Sequence, residues 1–236
     1  MSGSNEQAQR PGGAGGSASI RVLIAEDQGL MRATLSTLLE AEPDMSVVAA
    51  VDDGAQAVAR SAELRPDVVV MDIQMPVLTG IEATARICRD PALAATRVLI
   101  LTMFEMDDYV MGALRAGASG FLLKDTDPQG LVDGVRTIHA GQSLLSPLVL
   151  ARLVAQGVGV ASHLRASSRV GELTPRQREV LTLIARGLSN TQIEAELSIT
   201  RATCRSHITA LLARLGARDR AQLVIAAYES GLIAPG

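Results

Sequence analysis

The stretch VVVMDIQMPVLTG, residues 68–80, decides how the first half of this 236-residue chain folds. It opens with Val68–Met71, a continuous apolar run of the kind that forms a strand buried on both faces of a parallel sheet. A carboxylate, Asp72, follows the run directly. Since function in such sheets gathers at the carboxyl ends of the strands, Asp72 is the first candidate for a functional side chain.

Four similar β-branched runs flank this strand, and the segments between them have the length and pattern of helices. One segment carries Met31, Leu35, Leu38 and Leu39, whose spacing gives an amphipathic helix one apolar face. Alternating strands and helices predict an α/β fold, here a doubly wound, five-stranded parallel sheet that is covered on both faces. The predicted strands are Ile20–Ala25, Ser46–Val51, Val68–Met71, Val98–Leu101 and Gly120–Leu123.

Polar side chains follow four of these five strands. Glu26 and Asp27 come after the first strand, Asp72 after the third, Thr102 after the fourth and Lys124 after the fifth. Right-handed crossovers bring all the carboxyl ends to the same edge of the sheet, so we expect these residues to converge. Lys124 is the single lysine among 22 basic residues, and it falls at this edge.

The residue types at this edge predict a phosphorylation site with a metal ion. Three carboxylates repel one another unless a hard cation lies between them, and Mg²⁺ prefers oxygen ligands. Asp72 can attack a phosphoryl group and form an acyl phosphate. The hydroxyl of Thr102 and the ammonium of Lys124 can bind the phosphoryl oxygens. Each residue alone could be a helix cap or a core group, but the combination favours the functional interpretation.

Residues 20–141 resemble the CheY-type receiver domain. The resemblance is carried by VLIAEDQ (22–28), VVVMDIQMPVLTG (68–80), LILTMF (99–104) and GASGFLLKD (117–125), each at its expected strand end. It implies a doubly wound receiver fold whose acceptor aspartate takes a phosphoryl group from a sensor histidine kinase.

The receiver resemblance implies a role for each residue at the strand ends. Asp72 is the implied acceptor, and Lys124 contacts its carboxylate and then the phosphoryl group. Thr102 follows the phosphoryl oxygen, and Phe121 is the aromatic switch that turns inward. Phe121 lacks the hydroxyl of the commoner tyrosine, so any switching has to work through packing. The implied Mg²⁺ ligands are Glu26, Asp27, Asp72 and the backbone carbonyl of Gln74.

The two halves of the chain carry opposite charge, although the formal net charge of the whole is only −3. Between Ile20 and Gly141 there are 18 acidic and 10 basic residues, a net charge of −8. Between Ser168 and Gly236 there are 6 acidic and 9 basic residues, a net charge of +3. An acidic front half suits a cation site, and a basic back half suits an anionic partner such as nucleic acid.

Helix start and stop signals predict four short helices in the last third of the chain. Capping boxes at residues 174–177 and 189–192 open the first two helices. Thr200 caps a third helix over Arg201–Leu215, and Asp219 caps the last one. The second and third helices are joined by a very short turn, which predicts a helix-turn-helix unit.

The third of these helices has one apolar and one basic face. Arg201, Arg205 and Thr209 are spaced by fours on the predicted exposed face. The helix dipole disfavours an arginine at the first helical position, and a phosphate or a guanine edge would offset this. A merely solvated charged face is the alternative interpretation. The predicted buried stripe consists of Ala202, Ile208, Leu211, Leu212 and Leu215.

Residues 173–233 resemble the LuxR-type output domain of the NarL/FixJ family of response regulators. The resemblance implies binding to double-stranded operator DNA and a dimer surface on the last helix, Gln222–Tyr228. Three departures from the family pattern lie on the third helix. Arg205 stands where lysine is usual, Cys204 where valine is usual, and Arg201 where the residue is often acidic. The implied DNA contacts are Thr200, Arg201, Thr203, Arg205, Ser206, His207 and Thr209.

The two resemblances together predict a DNA-binding response regulator of a two-component system. We expect a disordered tail (1–19), a receiver domain (20–141), a linker (142–168) with a short helix near 147–155, and a LuxR-type domain (169–236). The expected partners are a sensor histidine kinase, operator DNA and, on phosphorylation, a second copy of the chain. The sequence shows neither an apolar run that could span a membrane nor a secretory signal, and we expect a cytoplasmic protein.

Other functions are compatible with parts of this pattern. A receiver-like domain controlled by a ligand or a partner, without phosphorylation, would bind no Mg²⁺ and form no acyl phosphate. A phosphatase-like enzyme with Asp72 as nucleophile would need a general acid two residues later, and Gln74 cannot serve. RNA binding is disfavoured because Tyr228 is the only aromatic residue in the last third of the chain, and stacking on bases needs more.

Overall fold

The computed structural model describes residues 19–103, 107–142, 144 and 169–233. Residues 1–18 of the predicted tail and the helix predicted near 147–155 lie outside the described residues. The described part forms an α/β unit followed by an all-helical unit. No helix in these described ranges is long and apolar enough to cross a membrane.

The α/β unit contains the predicted five-stranded sheet, in which every neighbouring pair of strands is parallel. Its strand order is β2-β1-β3-β4-β5, so the order reverses at β1 and β3. Ligand sites in doubly wound sheets lie at the carboxyl ends next to this reversal. The strands are β1 (Ile20–Ala25), β2 (Met45–Val51), β3 (Val68–Asp72), β4 (Arg97–Thr102) and β5 (Gly120–Leu123).

The helices cover both faces of the sheet, as the continuous apolar strands require. Alternate residues of β1 separate the two cores: Val22 and Ile24 pack on one face, and Leu23 and Ala25 on the other. Leu35, Leu39 and residues 131–138 complete the first core, whereas residues of the second, third and fourth helices complete the other. The helices are α1 (Gly29–Glu40), α2 (Gly54–Leu64), α3 (Gly80–Arg89), α4 (Asp107–Ala116) and α5 (Pro128–His139), with a 3₁₀ turn at Pro91–Leu93.

Three strands are longer than the sequence pattern predicted. β2 begins at Met45, β3 includes Asp72, and β4 extends from Arg97 to Thr102. The extension at the carboxyl edge arises because Asp72 pairs with Leu101 and Thr102 pairs with Leu123. Both polar side chains are therefore held by the sheet itself rather than by a loop.

The helical unit follows the predicted caps closely. Thr174 and Ser189 each form a capping box in which both reciprocal hydrogen bonds are present. Thr200 and Asp219 each accept a hydrogen bond from a backbone N–H in the first turn of their helix. Gly216 ends the third helix of this unit with a φ of 65°, a left-handed conformation that favours glycine. The helices are α6 (Pro175–Ala185), α7 (Asn190–Leu197), α8 (Arg201–Leu215) and α9 (Arg220–Glu229).

The prediction of the buried stripe on α8 is wrong at one residue. Ala202 is exposed, and the fully buried Cys204 takes its place. The reason is the helical period, because Cys204, Ile208, Leu211 and Leu215 follow at intervals of four, three and four residues. Ala202 lies on another side of the helix.

Candidate functional site

An acidic pocket lies at the carboxyl edge of the sheet, where the sequence pattern placed it. Glu26 and Asp27 directly follow β1, Asp72 is the last residue of β3, and Lys124 directly follows β5. The backbone N–H of Lys124 donates to the carbonyl of Thr102 at 2.8 Å, which fixes the end of β5 against β4. Side chains that are about 100 positions apart in the sequence therefore meet at one place.

Lys124 lies between the two buried carboxylates of the pocket. Its Nζ is 2.9 Å from Oε1 and 2.8 Å from Oε2 of Glu26, and 3.1 Å from Oδ2 of Asp72. The three side chains are only 2%, 1% and 6% exposed for Lys124, Glu26 and Asp72. One ammonium therefore serves two carboxylates that water barely reaches.

The donor set of the pocket fits a hard divalent cation. Glu26, Asp27 and Asp72 can each offer an oxygen such that all three oxygens lie within 4.8 Å of one another. Oε2 of Glu26 is buried and pairs with the ammonium of Lys124 at 2.8 Å, but no hydrogen bond of good geometry reaches it among the described residues. Three carboxylates against one ammonium leave an excess of negative charge that Mg²⁺ would neutralise.

Burial and charge shift the pKa values in this pocket. Burial raises the pKa of Asp72, although the hydrogen bond and the charge of Lys124 oppose it. Burial raises the pKa of Glu26 too, with the charge of Asp72 adding to the rise and Lys124 opposing it. Burial lowers the pKa of Lys124, but its hydrogen bonds to Glu26 and Asp72 outweigh this, and the net shift is upward. The surroundings therefore favour the protonated forms of Glu26, Asp72 and Lys124.

The remaining residues predicted for this site lie on or next to the strands that carry the pocket. Thr102 is 3% exposed at the end of β4, and Phe121 is 9% exposed in the core on the side of α2, α3 and α4. The ring of Phe121 is therefore turned inward in this structure. The side chain of Gln74 is exposed, and its amide donates to the hydroxyl of Tyr109 at 3.4 Å.

Two residues that shape the pocket were missed by the sequence reasoning. A Cβ on Gly80 would lie 1.8 Å from the carbonyl oxygen of Asp72, so only glycine lets the loop return to the acceptor. Arg32 donates from Nη1 to the carbonyls of Glu26 at 2.7 Å and Asp27 at 3.2 Å. The glycine in the loop after β3 could have indicated a close approach of the backbone. An arginine in the second turn of a helix usually indicates only a solvated side chain.

The second predicted site is the exposed face of α8. Arg201, Thr203, Arg205, Ser206 and Thr209 are all exposed. Thr200 is exposed too, where it caps the helix, and His207 is half-buried. Within the described ranges neither Arg201 nor Arg205 forms an ion pair, which leaves both guanidinium groups available to an anion.

Comparisons with known proteins identify both structural units. Residues 22–136 match the model of the response regulator receiver domain, and residues 171–227 match that of the luxR family of bacterial regulatory proteins. The transcriptional regulatory protein LiaR of Bacillus subtilis is 37% identical over 218 residues, which cover 91% of this chain and 99% of LiaR. The response regulator protein VraR of Staphylococcus aureus is 35% identical over 216 residues, covering 91% of this chain and 99% of VraR.

A solved structure agrees as well. The two-component response regulator of the LuxR family from Aurantimonas sp. SI85-9A1 is 34% identical and superposes with a TM-score of 0.53, covering 59% of this chain and 98% of that chain. The two family matches occur in the same order as the two structural units. The chain therefore belongs to the NarL/LuxR family of two-component response regulators, transcriptional regulators that combine a receiver domain with a LuxR-type DNA-binding domain.

Proposed function

We propose that phosphorylation of Asp72 by a sensor histidine kinase switches this regulator, and that the phosphorylated form binds operator DNA as a dimer. One observation carries the proposal: the buried Asp72 carboxylate lies 3.1 Å from Lys124 Nζ and shares a three-carboxylate cluster with Glu26 and Asp27. This is the arrangement that phosphoryl transfer to a carboxylate requires, with a nucleophile, a fixed cation and a divalent-metal site.

The transfer step follows from the residues of the pocket. A carboxylate oxygen of Asp72 attacks the phosphorus of a phosphohistidine, the P–N bond breaks, and the electron pair leaves with the imidazole nitrogen. Lys124 keeps its proton and binds the phosphoryl oxygens together with the hydroxyl of Thr102. Bound Mg²⁺ would neutralise the charge that collects on the transferred group. The residues that would hold it are Glu26, Asp27, Asp72 and the backbone carbonyl of Gln74.

The switch would spread from the pocket through the ends of β4 and β5. Thr102 follows the phosphoryl group, and the neighbouring strand carries Phe121, whose ring adjusts by packing because it has no hydroxyl. Together these shifts change the surface formed by α4 and β5. This surface is the route by which the receiver domain would act on the DNA-binding domain.

The output step would use two helices of the DNA-binding domain. Helix α8 would enter the major groove, where Arg201 and Arg205 bind phosphates or guanine edges. Helix α9, with its surface over Gln222–Tyr228, would pair two copies on adjacent half-sites. The protein would act in the cytoplasm, where the free thiols of Cys88 and Cys204 stay reduced.

Mass spectrometry of the phosphorylated chain tests the proposal. The full-length protein, incubated with Mg²⁺ and acetyl phosphate, should gain one phosphoryl group that is lost at alkaline pH, as acyl phosphates are. Asp72→Asn should gain none, whereas the matched control Asp133→Asn, at an exposed carboxylate of α5, should react like the wild type. Labelling of wild type and Asp72→Asn to the same extent would overturn Asp72 as the acceptor, and a wild type that gains no phosphoryl group would favour the phosphorylation-independent regulator.

A further inference from the structure

Arg32 binds three consecutive backbone carbonyls at the turn between β1 and α1. Its Nη1 donates to the carbonyl of Glu26 at 2.7 Å and to that of Asp27 at 3.2 Å. Its backbone N–H donates to the carbonyl of Gln28 at 2.9 Å. Arg32 is the fourth residue of α1 and is half-buried, so the helix is bonded at its start to the turn that precedes it.

The start of α1 lacks the side-chain cap that fixes other helices of the receiver. Gln28, at the N-cap position, forms no side-chain hydrogen bond to the helix, and the first turn of α1 contains no acidic residue. Helices α2, α3 and α5 each begin with a capping side chain, namely Asp53, Thr79 and Asp127. The bonds from Arg32 therefore stand in place of the local bonds that hold the start of those three helices.

Among the three carboxylates of the pocket, that of Asp27 depends most on this turn. Lys124 Nζ lies 2.9 Å from Oε1 of Glu26 and 3.1 Å from Oδ2 of Asp72, and both of these carboxylates are buried. Asp27 is exposed, and no hydrogen bond or ion pair within the described ranges reaches its carboxylate. The position of this carboxylate is therefore set by its backbone, which is the part that Arg32 binds.

We propose that Arg32 is a positioning residue that makes the pocket selective for Mg²⁺ over larger divalent cations, because it fixes the backbone that carries Asp27. The inference rests on the proposed function, since it takes Glu26, Asp27 and Asp72 as the carboxylate ligands. Arg32 would not contact the cation itself. It acts through the two carbonyls that its Nη1 binds.

The selectivity follows from what the two common hard cations require. Mg²⁺ demands a nearly ideal octahedral arrangement of oxygens, whereas the larger Ca²⁺ accepts six to eight oxygens in flexible arrangements. A pocket in which Asp27 is loosely held can still adapt to Ca²⁺, but it loses the geometry that Mg²⁺ demands. Groups that orient metal ligands by hydrogen bonding typically change metal affinity by about 10- to 100-fold when they are removed.

Two other roles for Arg32 predict different results. If Arg32 acted only by its positive charge, it would oppose Mg²⁺ and Ca²⁺ equally, because both ions carry two charges, and its removal would tighten the binding of both. If it only stabilised α1, its removal would lower the melting temperature and leave the ratio of the two affinities unchanged. The ratio of Mg²⁺ to Ca²⁺ affinity therefore separates positioning from charge and from simple stabilisation.

Calorimetric titration of the full-length, unphosphorylated protein with MgCl₂ and CaCl₂, after removal of metal with EDTA, measures this ratio at constant ionic strength. Arg32→Met should weaken Mg²⁺ binding by about tenfold and Ca²⁺ binding by less than about threefold. Arg32→Lys keeps a donor that can reach one carbonyl, and should restore part of the loss. The matched control Arg60→Met removes an exposed arginine of α2, which pairs only with Glu63 among the described residues, and should leave both affinities unchanged.

A double-mutant cycle shows whether Arg32 acts through Asp27. Asp27→Asn keeps an oxygen at the same place but removes its charge, and binding to this weaker site can be followed from the rise in melting temperature with Mg²⁺ concentration. In this background Arg32→Met should weaken Mg²⁺ binding by less than about twofold, because the ligand that Arg32 positions has already lost its charge. Equal losses with and without Asp27→Asn would overturn the role of Asp27.

The ratio of affinities decides the inference. An unchanged Mg²⁺ to Ca²⁺ ratio in Arg32→Met, or tighter binding of both ions, would overturn it. Melting in EDTA shows whether the variant is folded, and if Arg32→Met is not, Arg32→Lys provides the same test, with an unchanged ratio as the contrary result. None of these titrations contains a phosphodonor, so failure of the inference is distinguishable from failure of Asp72 phosphorylation.

Discussion

The carboxyl edge and the amino edge of the receiver sheet differ in the chemical groups that they present. The carboxyl edge concentrates charge, with Glu26, Asp27, Asp72 and Lys124 in one pocket. The amino edge binds the DNA-binding domain largely through backbone carbonyls. The metal binding and phosphorylation that we propose would relieve the excess of negative charge at the first edge. Neutral acceptors at the second edge give a contact that geometry controls, and a shift of the strands can break it.

The largest effect on stability is expected in the acidic pocket, where the charged groups lie closest together. Lys124→Met leaves Glu26 and Asp72 buried without their cation, and should lower the free energy of unfolding by about 3 kcal/mol at neutral pH. The loss should shrink towards pH 5, because both carboxyls can then take up protons. Urea unfolding at both pH values measures it. Adding Glu26→Gln should restore part of the stability, and a loss that does not depend on pH would contradict the electrostatic explanation.

The arginines of the DNA-binding domain extend the comparison to the output. Arg218 is bound to carbonyls of the amino edge, whereas Arg205 is exposed and forms no ion pair within the described ranges. Arg205→Ala should weaken binding to a duplex, selected by the wild type from a random pool, by about 2 kcal/mol and reduce the salt slope by about one. Arg218→Ala should not weaken it. Equal losses in both variants would show that the surface carries only diffuse charge.

A smaller change in stability, opposite in sign to that of Lys124→Met, is expected for a substitution of Asp72. Because the pKa of Asp72 is raised, the folded protein binds the proton more tightly than the unfolded chain, and stability falls as pH rises above the ordinary carboxyl value. Asp72→Asn removes this penalty and should stabilise the metal-free protein by about 1 kcal/mol at neutral pH. The gain should vanish below about pH 4, where the wild-type carboxyl is protonated in both states. Thermal melts at pH 4 and pH 7 check it, and destabilisation at pH 7 would be the contrary result.

The same comparison explains what could be predicted from the sequence. Glu26, Asp27, Asp72 and Lys124 follow apolar strands, and parallel pairing brings such residues together whatever their distance in sequence. The caps of α6 to α9 were predictable for a similar reason, since they depend on local side chains.

The amino edge could not be predicted in this way. Leu93, Thr96 and Leu114 contribute only their carbonyl groups, which every residue type possesses. Arg218 reads as part of a basic surface, and Asp219 as a simple helix cap. The hydrogen bonds of Arg218 and Asp219 to the receiver depend on how the two domains dock. Docking between domains produces no periodic pattern in the sequence. The wrong assignment of Ala202 to the α8 core has a smaller cause, the choice of register on a single helix.

Sedimentation velocity of the full-length chain with Mg²⁺, before and after addition of acetyl phosphate, tests the central claim most directly. The wild type should change from monomer to dimer on phosphorylation, and Asp72→Asn should remain monomeric under the same conditions. A wild-type protein that carries a stoichiometric acyl phosphate and stays monomeric, or an Asp72→Asn variant that dimerises equally, would contradict the account.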